Sequence, residues 1–242
     1  MGNLLVRMAC RIVKEKDEGE FEETDELMLH LDDRILKSAS FAIEMTTKEI
    51  VEMGRLAGNN LRAALNSLIF NEYENLDEIF VTEKKINRYQ KQLTEYMVKI
   101  NKLELNEHQH TIVKNLLYAI NDIERVGDHA ENVAEYAQNM KRDGIEFSDM
   151  AKEELVEMSN KVMQNYDWAM EATLTGNKLL LEKVTAYEEQ IDEMELELRD
   201  RHILRLSRNE CRMESGVIFL DIISNLERVS DHAMNIVEYV QE

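Results

Sequence analysis

Two fourteen-residue segments place carboxylates one helical turn apart, and no other arrangement in the chain is better suited to chemistry. The first is ERVGDHAENVAEYA (124–137) and the second is ERVSDHAMNIVEYV (227–240). Each carries two acids and an amide at positions i, i+4 and i+8, namely Glu124, Asp128 and Asn132, then Glu227, Asp231 and Asn235. Residues four apart lie above one another on one helix face, so the two acids repel unless a cation or an arginine compensates their charge.

Each segment has a matching pair of oxygen-bearing side chains earlier in the chain. Glu83 and Asn87 precede the first segment, and Glu188 and Asp192 precede the second, again four residues apart. If neighbouring helices carry these pairs, four oxygen ligands meet, which suits hard cations as well as iron and manganese. The predicted metal ligands are therefore Glu83, Asn87, Glu124, Asp128, Glu188, Asp192, Glu227 and Asp231. Because Asn87 stands where the second set has Asp192, the first site is expected to bind a cation more weakly.

The acids also have a simpler interpretation, in which they pair with Arg125, Arg228 or other basic side chains in a solvated network. Exposed ion pairs contribute little individually, and spacing alone does not separate such a network from a metal site. His129 and His232, which directly follow the aspartates, are open to three interpretations: metal ligands, hydrogen-bond donors to the ligands, or packing residues of a bundle.

Motifs for ordinary catalysis are missing from the sequence. Glu107-x-x-His110 resembles half of a di-iron signature, but bundle-type oxidases need two such pairs, and the counterpart here is Glu210 with Met213. No glycine-rich phosphate loop, G-x-S-x-G elbow or Cys/His nucleophile arrangement is present. The chain is therefore predicted not to be an enzyme, and a metal oxidase is the hypothesis that these residues support least.

The two segments belong to an internal repeat. An offset of 105 residues places Met53 on Met158 and Glu83 on Glu188, while an offset of 103 aligns the fourteen-residue segments, in which nine positions are identical. The change in offset falls between the second and third predicted helices, where a loop absorbs it.

Helical periodicity runs through both repeats and predicts an all-α fold. The chain has no proline and only eight glycines, and charged residues, 32% of the total, alternate with aliphatic ones at helical spacing. The predicted helices are 38–70, 76–102 and 107–140 in the first repeat, and 148–175, 178–205 and 210–241 in the second. Asn106 and Asn209 are predicted N-caps, and Gly144 and Gly176 mark breaks. Three helices joined by short loops form an up-down-up bundle, so the predicted fold is two tandem three-helix bundles.

The third helix of each repeat carries an apolar stripe with a spacing of three and four residues. Gly127 and Ser230 are small residues at matching points of this stripe. The stripe predicts an ordinary bundle core, in which another helix approaches closely at these two positions.

Charge and cysteine content limit the expected partners. The chain has 49 acids against 29 bases, a formal charge of -20, and no concentrated basic patch is evident. Such a surface repels phosphate backbones, so nucleic acid is not an expected partner, and free phosphate needs an intervening cation. Cys10 and Cys211 match no disulfide framework or zinc spacing, so they are expected to be reduced thiols of a cytosolic protein.

The N-terminal segment differs in character from the repeats. Residues 1–13 (MGNLLVRMACRIV) are apolar but shorter than the roughly 20 residues of a membrane span, so they are either an amphipathic start or the cytoplasmic end of a preceding membrane helix. Seven acids among residues 17–26 predict a solvated linker. The predicted organisation is a stub at 1–13, an acidic linker at 14–36, a first repeat at 37–143 and a second repeat at 144–242.

The tandem segments ERVGDHAEN and ERVSDHAMN, with E-x-x-x-[ND] on the preceding helices, resemble the PhoU family over residues 38–241. The resemblance implies two three-helix bundles side by side, with metal ions on the acidic faces. Iron is the metal most expected, and zinc, manganese, magnesium, calcium and nickel are alternatives. The resemblance also implies that the protein negatively regulates phosphate uptake by acting on transporters and their sensor kinases.

The N-terminus is similar to a junction found in bacterial Na+/phosphate cotransporter-family proteins, where a membrane domain precedes a cytoplasmic PhoU-like domain. The similarity lies in GNLLVRMACRIV, the acidic linker and LHLDDRIL. It favours a regulatory domain at the inner face of the cell membrane, with the phosphate transporter's membrane domain as partner in the same chain. The alternatives are a stand-alone PhoU-type regulator of a phosphate ABC transporter or sensor kinase, and a purely structural helical adaptor. The sequence leaves open a homodimer and direct binding of inorganic phosphate.

Overall fold

The computed structural model describes residues 31–239 of the chain. A short 3₁₀ helix, Asp33–Lys37, is followed by six α-helices, and these residues include no β-strand. The helices are α1 (Ala39–Phe70), α2 (Leu76–Ile100), α3 (Glu107–Asp143), α4 (Asp149–Thr175), α5 (Lys178–Ser207) and α6 (Met213–Tyr239). The predicted all-α class is confirmed, and five of the six helices begin within one residue of their predicted starts.

The sixth helix begins later than predicted, so the proposed N-cap at Asn209 is wrong. Asn209 has a left-handed backbone, with φ 55°, and its N–H donates to the carbonyl of Leu206 at 3.1 Å. It therefore terminates α5, since asparagine is among the few residues that adopt this conformation readily. Asn106, by contrast, caps α3 as expected: its side chain accepts from the N–H of Gln109, and the Gln109 side chain accepts from the N–H of Asn106.

Glycines end two helices at the predicted breaks. Gly144 follows α3 with φ 60° and Gly176 follows α4 with φ 64°. A side chain at either position would be strained, whereas glycine adopts this conformation at little cost. The turn at Gly144 begins the connection between the two bundles, and the turn at Gly176 begins the first connection within the second bundle.

Each repeat forms one bundle of three mutually packed helices, α1–α3 and α4–α6. The bundles pack side by side through two helix pairs, α3 against α6 and α1 against α4, and the second helices α2 and α5 pack within their own repeats. Buried apolar residues of both repeats form one continuous core. The two repeats are therefore a single packed unit.

Close approach between the bundles depends on small residues. Tyr166 of α4 is buried and its hydroxyl donates to the carbonyl of Gly54 on α1 at 2.9 Å. Within the first bundle, a Cβ at Gly127 would lie 3.2 Å from Cγ2 of Ile86, so α3 and α2 meet where the stripe predicted a close approach.

The N-terminal part of the fold extends slightly further than its predicted boundary. Asp33–Lys37 takes in the last residues of the predicted linker, and Lys99 pairs with Asp33 at 2.9 Å. The predicted stub, Cys10 and the remainder of the linker lie outside the described residues. No helix within residues 31–239 combines the length and apolar character that crossing a bilayer requires.

Candidate metal centre

Three carboxylates of the second repeat converge between α5 and α6. One oxygen from each of Glu188, Asp192 and Asp231 lies within 4.8 Å of the other two. Oxygens that share a cation at about 2.0–2.6 Å lie at most about 5 Å apart, so this spacing fits a single ion. The i,i+4 spacing on α5 supplies two of these ligands and the facing turn of α6 supplies the third.

The three carboxylates lack hydrogen-bonding and ion-pairing partners among the described residues, which agrees with a cation site. None of the three has a hydrogen bond or ion pair with any residue in 31–239. Oδ1 of Asp192 is buried without a hydrogen-bond partner, which is uncommon because burial of an unpaired polar atom costs free energy. A metal ion would satisfy this oxygen, so the residues present fit the group that the sequence predicts.

Burial and mutual repulsion raise the pKa values of the whole cluster. For Glu188 the larger cause is burial, followed by the charges of Asp192 and Asp231. Burial also raises the pKa of Asp192 and that of Asp231. Glu227 lies close enough for its pKa to be raised by burial and then by the charges of Asp231 and Asp192. The site therefore holds more negative charge than its surroundings compensate, and a cation would relieve it.

A buried ion pair borders the cluster. Glu195 is 7% exposed and accepts a hydrogen bond from Arg199 one turn along α5. Burial and then the charge of Glu195 raise the pKa of Asp192. The pKa of Arg199 is raised by its hydrogen bond with Glu195 and then by the charges of Glu195 and Glu227. Sequence reasoning missed this pair; its signal was the further E-x-x-x-R step that follows Asp192 on the same helix.

The corresponding residues of the first repeat are already engaged with one another. Glu83 is buried and accepts a hydrogen bond from the side-chain amide of Asn87. Asp128 pairs with Arg125 at 3.2 Å. Glu124 also has interactions, and no group of three acids, cysteines or histidines converges here within the part of the chain that the structure describes. Of the eight predicted ligands, three meet, Glu227 lies beside them, and four form a different arrangement in the first repeat.

His129 and His232 lie at the interface between the two bundles. Nδ1 of His129 is 2.7 Å from Oδ1 of Asn225, and Nδ1 of His232 is 2.7 Å from Oδ1 of Asp122. Their rings are 5.6 Å apart. Each histidine thus joins one third helix to the other, which agrees with the interpretation of the pair as packing residues.

The partners of these histidines occupy equivalent positions, because Asp122 and Asn225 are 103 residues apart. The two hydrogen bonds are therefore related by the repeat, with an acid on one side and an amide on the other. Extending the aligned segments two residues towards the N-terminus would have shown from the sequence that Asp122 and Asn225 are equivalent positions.

Comparison with known proteins adds an independent observation. The sequence model of the PhoU domain matches residues 50–137 and 155–240 of the chain, one match for each repeat. The chain is 32% identical over 135 residues to the phosphate-specific transport system accessory protein PhoU homolog 1 of Thermotoga maritima. That match covers 53% of this chain and 57% of the relative, so it spans less than two thirds of the relative's length.

A longer match has lower identity. The chain is 24% identical to the phosphate-specific transport system accessory protein PhoU homolog of Pseudomonas aeruginosa, over 82% of this chain and 81% of the relative.

Solved structures of the same fold support the six-helix architecture. The crystal structure of PhoU from Pseudomonas aeruginosa matches with a TM-score of 0.79 and 20% identity, covering 84% of this chain and 97% of that one. The phosphate transport system regulatory protein PhoU from Streptococcus pneumoniae matches with a TM-score of 0.75 and 20% identity, covering 84% and 95%. At this identity the structures establish the fold of the chain.

Proposed function

The chain belongs to the PhoU domain family, and from that premise we propose that it is a metal-dependent regulator of phosphate uptake. The observation that carries the proposal is the convergence of Glu188, Asp192 and Asp231 within the second of two PhoU matches. The named relatives are accessory proteins of phosphate-specific transport systems. A non-enzymatic role agrees with those names.

We place the protein with the accessory regulators and no longer with the cotransporter domains that the N-terminus favoured. The relatives found are named as accessory proteins of phosphate-specific transport, and the Pseudomonas aeruginosa relative is covered over 81% of its length. The solved structures with the same fold are likewise PhoU proteins. The partner we propose is therefore a phosphate transport system at the inner face of the cell membrane, with its sensor kinase as a second candidate.

The bound ion would act on the geometry of the second bundle. Glu188 and Asp192 belong to α5 and Asp231 belongs to α6, so a shared cation ties the two helices together and cancels their repulsion. Carboxylate sites accept several metals. Iron, the metal that the sequence resemblance favours, is the one we propose, ahead of zinc, manganese, magnesium, calcium and nickel. Metal occupancy then sets the rigidity of the surface offered to the transporter.

The proposal is tested by phosphate uptake in cells of the source organism that carry the gene with Glu188→Gln and Asp231→Asn. If metal occupancy drives regulation, these cells take up phosphate without restraint under phosphate-rich conditions, as cells lacking the gene do. The matched control carries Glu83→Gln and Asp128→Asn in the first repeat and keeps regulation. If the second-repeat variant regulates uptake normally, the metal plays no part in regulation, as the hypothesis of a helical adaptor predicts.

A further inference from the structure

A polar cleft lies between α3 and α6, on the interface of the two repeats and outside the carboxylate cluster. Its volume is about 420 Å³ and it is open on one side to solvent. The lining residues are polar or charged: Asn132, Glu135, Tyr136, Asn139, Asp221, Ser224, Asn225 and Arg228. A cleft of this size and character accommodates a small polar molecule.

Arg228 is the unusual member of this cleft. It is exposed, and among the arginines within residues 31–239 it alone has neither a hydrogen bond nor an ion pair. Its repeat equivalent, Arg125, pairs with Asp128. A guanidinium with all its donors available is the side chain best suited to bind a phosphate group in bidentate fashion.

Neutral donors stand beside this arginine. Ser224 precedes Arg228 by four residues on α6, so both lie on one helix face. Asn132 lines the same cleft from α3, and neither it nor Ser224 makes a side-chain hydrogen bond within the described residues. Asn225 is held in place, because its amide nitrogen donates to the carbonyl of Asp221 and its oxygen faces His129. The lining of the cleft therefore offers a cation and two neutral donors.

The lining of the cleft also includes two acids. Asp221 accepts a hydrogen bond from the hydroxyl of Tyr136 at 2.8 Å, and Glu135 lines the same wall from α3. Asp221 and Arg228 are seven residues apart on α6, or about 10 Å along the helix axis. The two acids would repel a second anionic group but accept hydrogen bonds from hydroxyl or amino groups.

We propose that this cleft binds a phosphate group at Arg228, Ser224 and Asn132, with the hydroxyl-bearing remainder of a phosphomonoester against Asp221 and Glu135. Inorganic phosphate shares the chemistry of the arginine end and would occupy that end alone. A di- or polyphosphate would carry its additional charge towards the acids and fit less well. The site rests on the regulatory function proposed above and extends it by giving the protein a direct phosphate ligand, and its lining includes none of the three converging carboxylates.

The experiment is calorimetric titration of metal-free protein with three probes, namely inorganic phosphate, glycerol 3-phosphate and adenosine 5′-monophosphate. If an ester binds saturably and more tightly than inorganic phosphate, the proposal is supported and the bound phosphate group belongs to a phosphomonoester. Binding of inorganic phosphate at least as tight as that of the esters supports the phosphate site at Arg228 and identifies free phosphate as its source. Because the protein is free of metal, the result is independent of the uptake assay of the metal-site variants.

Two variants assign the binding to this cleft. Arg228→Gln is expected to raise the dissociation constant of the phosphate compound at least about ten-fold, because a charge-assisted bidentate contact is lost. Asn132→Asp, which adds a negative charge within the same cleft, is expected to weaken the affinity similarly. It replaces Arg228→Gln as the test variant if Arg228→Gln lowers thermal stability. The matched control, Arg125→Gln, binds like the unaltered protein. The proposal is overturned if no probe binds, or if both cleft variants bind like the unaltered protein.

Discussion

In the first repeat Glu83 is bonded by Asn87 and Asp128 by Arg125, whereas in the second repeat Glu188, Asp192 and Asp231 converge without partners among the described residues. The helices that carry the two sets have the same order and the same packing. The difference comes from a few polar side chains, chiefly Asn87 in place of Asp192. A duplicated fold can thus keep one version of a polar site whose side chains bond one another or a neighbouring arginine beside a second version whose carboxylates have no such partners.

The repeats also differ in how they anchor the equivalent buried glutamates of their first helices. Glu49 of α1 accepts a hydrogen bond from Tyr89. Glu154 of α4, 105 residues later, pairs with Arg205 through two contacts of 2.9 and 2.6 Å. The buried glutamate of the second repeat is therefore bonded by a charged arginine, whereas that of the first repeat is bonded by a neutral tyrosine.

The largest effect is expected from breaking that buried pair. Arg205→Met removes both short contacts of the Glu154 carboxylate, whose side chain is 10% exposed, and leaves it only the longer ion pair with Arg201 at 3.6 Å. The loss is expected to cost about 3 kcal/mol of the free energy of unfolding. Tyr89→Phe in the first repeat removes only a neutral donor and costs about 1–3 kcal/mol. Urea denaturation measures both values. Equal costs for the two variants would contradict the assignment of a charged anchor to the second repeat alone.

A reciprocal exchange of Asn87 and Asp192 tests the comparison at the metal centre. Asp192→Asn replaces one of three carboxylate ligands with a neutral amide and is expected to weaken cation affinity about 10–100-fold, at least as much as loss of an outer-shell partner does. Asn87→Asp places a second acid beside Glu83 and is expected to create cation binding in the first repeat. Metal titration by calorimetry follows both changes. An exchange that leaves both affinities as they were would show that this position does not distinguish the repeats.

The stripe positions Gly127 and Ser230 offer a smaller test. Gly127→Ser introduces a Cβ 3.2 Å from Ile86, and the resulting overpacking is expected to cost about 1–2 kcal/mol of unfolding free energy. Ser230 fits at the equivalent point because its hydroxyl accepts a hydrogen bond from Asn165 at 3.0 Å. Chemical denaturation provides the measurement, and Ser230→Gly is the companion variant. If Gly127→Ser leaves the unfolding free energy unchanged, α2 shifts readily to make room for the larger side chain on α3.

The weakest effect concerns pH. The folded state raises the pKa values of Glu188, Asp192, Glu227 and Asp231 above their usual values. For such groups the stability is fully present below the unfolded pKa and is lost as the pH rises through the folded pKa. Metal-free Glu188→Gln/Asp231→Asn protein should therefore melt a few degrees above the unaltered protein at neutral pH. The gap should close near about pH 3, below the unfolded pKa values of both aspartate and glutamate. Melting curves that keep the same gap at both pH values would argue against mutual repulsion in the cluster.

The bundle architecture could be predicted from the sequence because its signals are local and repeated. Helical periodicity, the absence of proline, and Gly144 and Gly176 mark the helices directly, and the doubled motif marks their order. The start of α6 was mispredicted because Asn209 was aligned with Asn106, although its φ of 55° ends a helix instead of beginning one. The same residue type serves both purposes, and only the backbone conformation separates them.

The site was harder to predict because it depends on which side chains turn towards one another. The sequence identified all the acids, and it identified the weaker position at Asn87. It did not show that Asn87 would bond Glu83 or that Arg228 would stay unpaired while Arg125 bonds Asp128. Each motif has an arginine three residues before its aspartate, so the sequence pattern could not distinguish Arg125, which pairs with Asp128, from Arg228, which lines a cleft between α3 and α6.

The most direct test of the central claim is elemental analysis of protein that has been stripped of metal and reloaded with iron. Unaltered protein and the first-repeat variant Glu83→Gln/Asp128→Asn are expected to retain the ion after desalting, and the second-repeat variant Glu188→Gln/Asp231→Asn is expected to lose it. Retention of the ion by the second-repeat variant, or absence of metal from all three proteins, would contradict a cation site between α5 and α6.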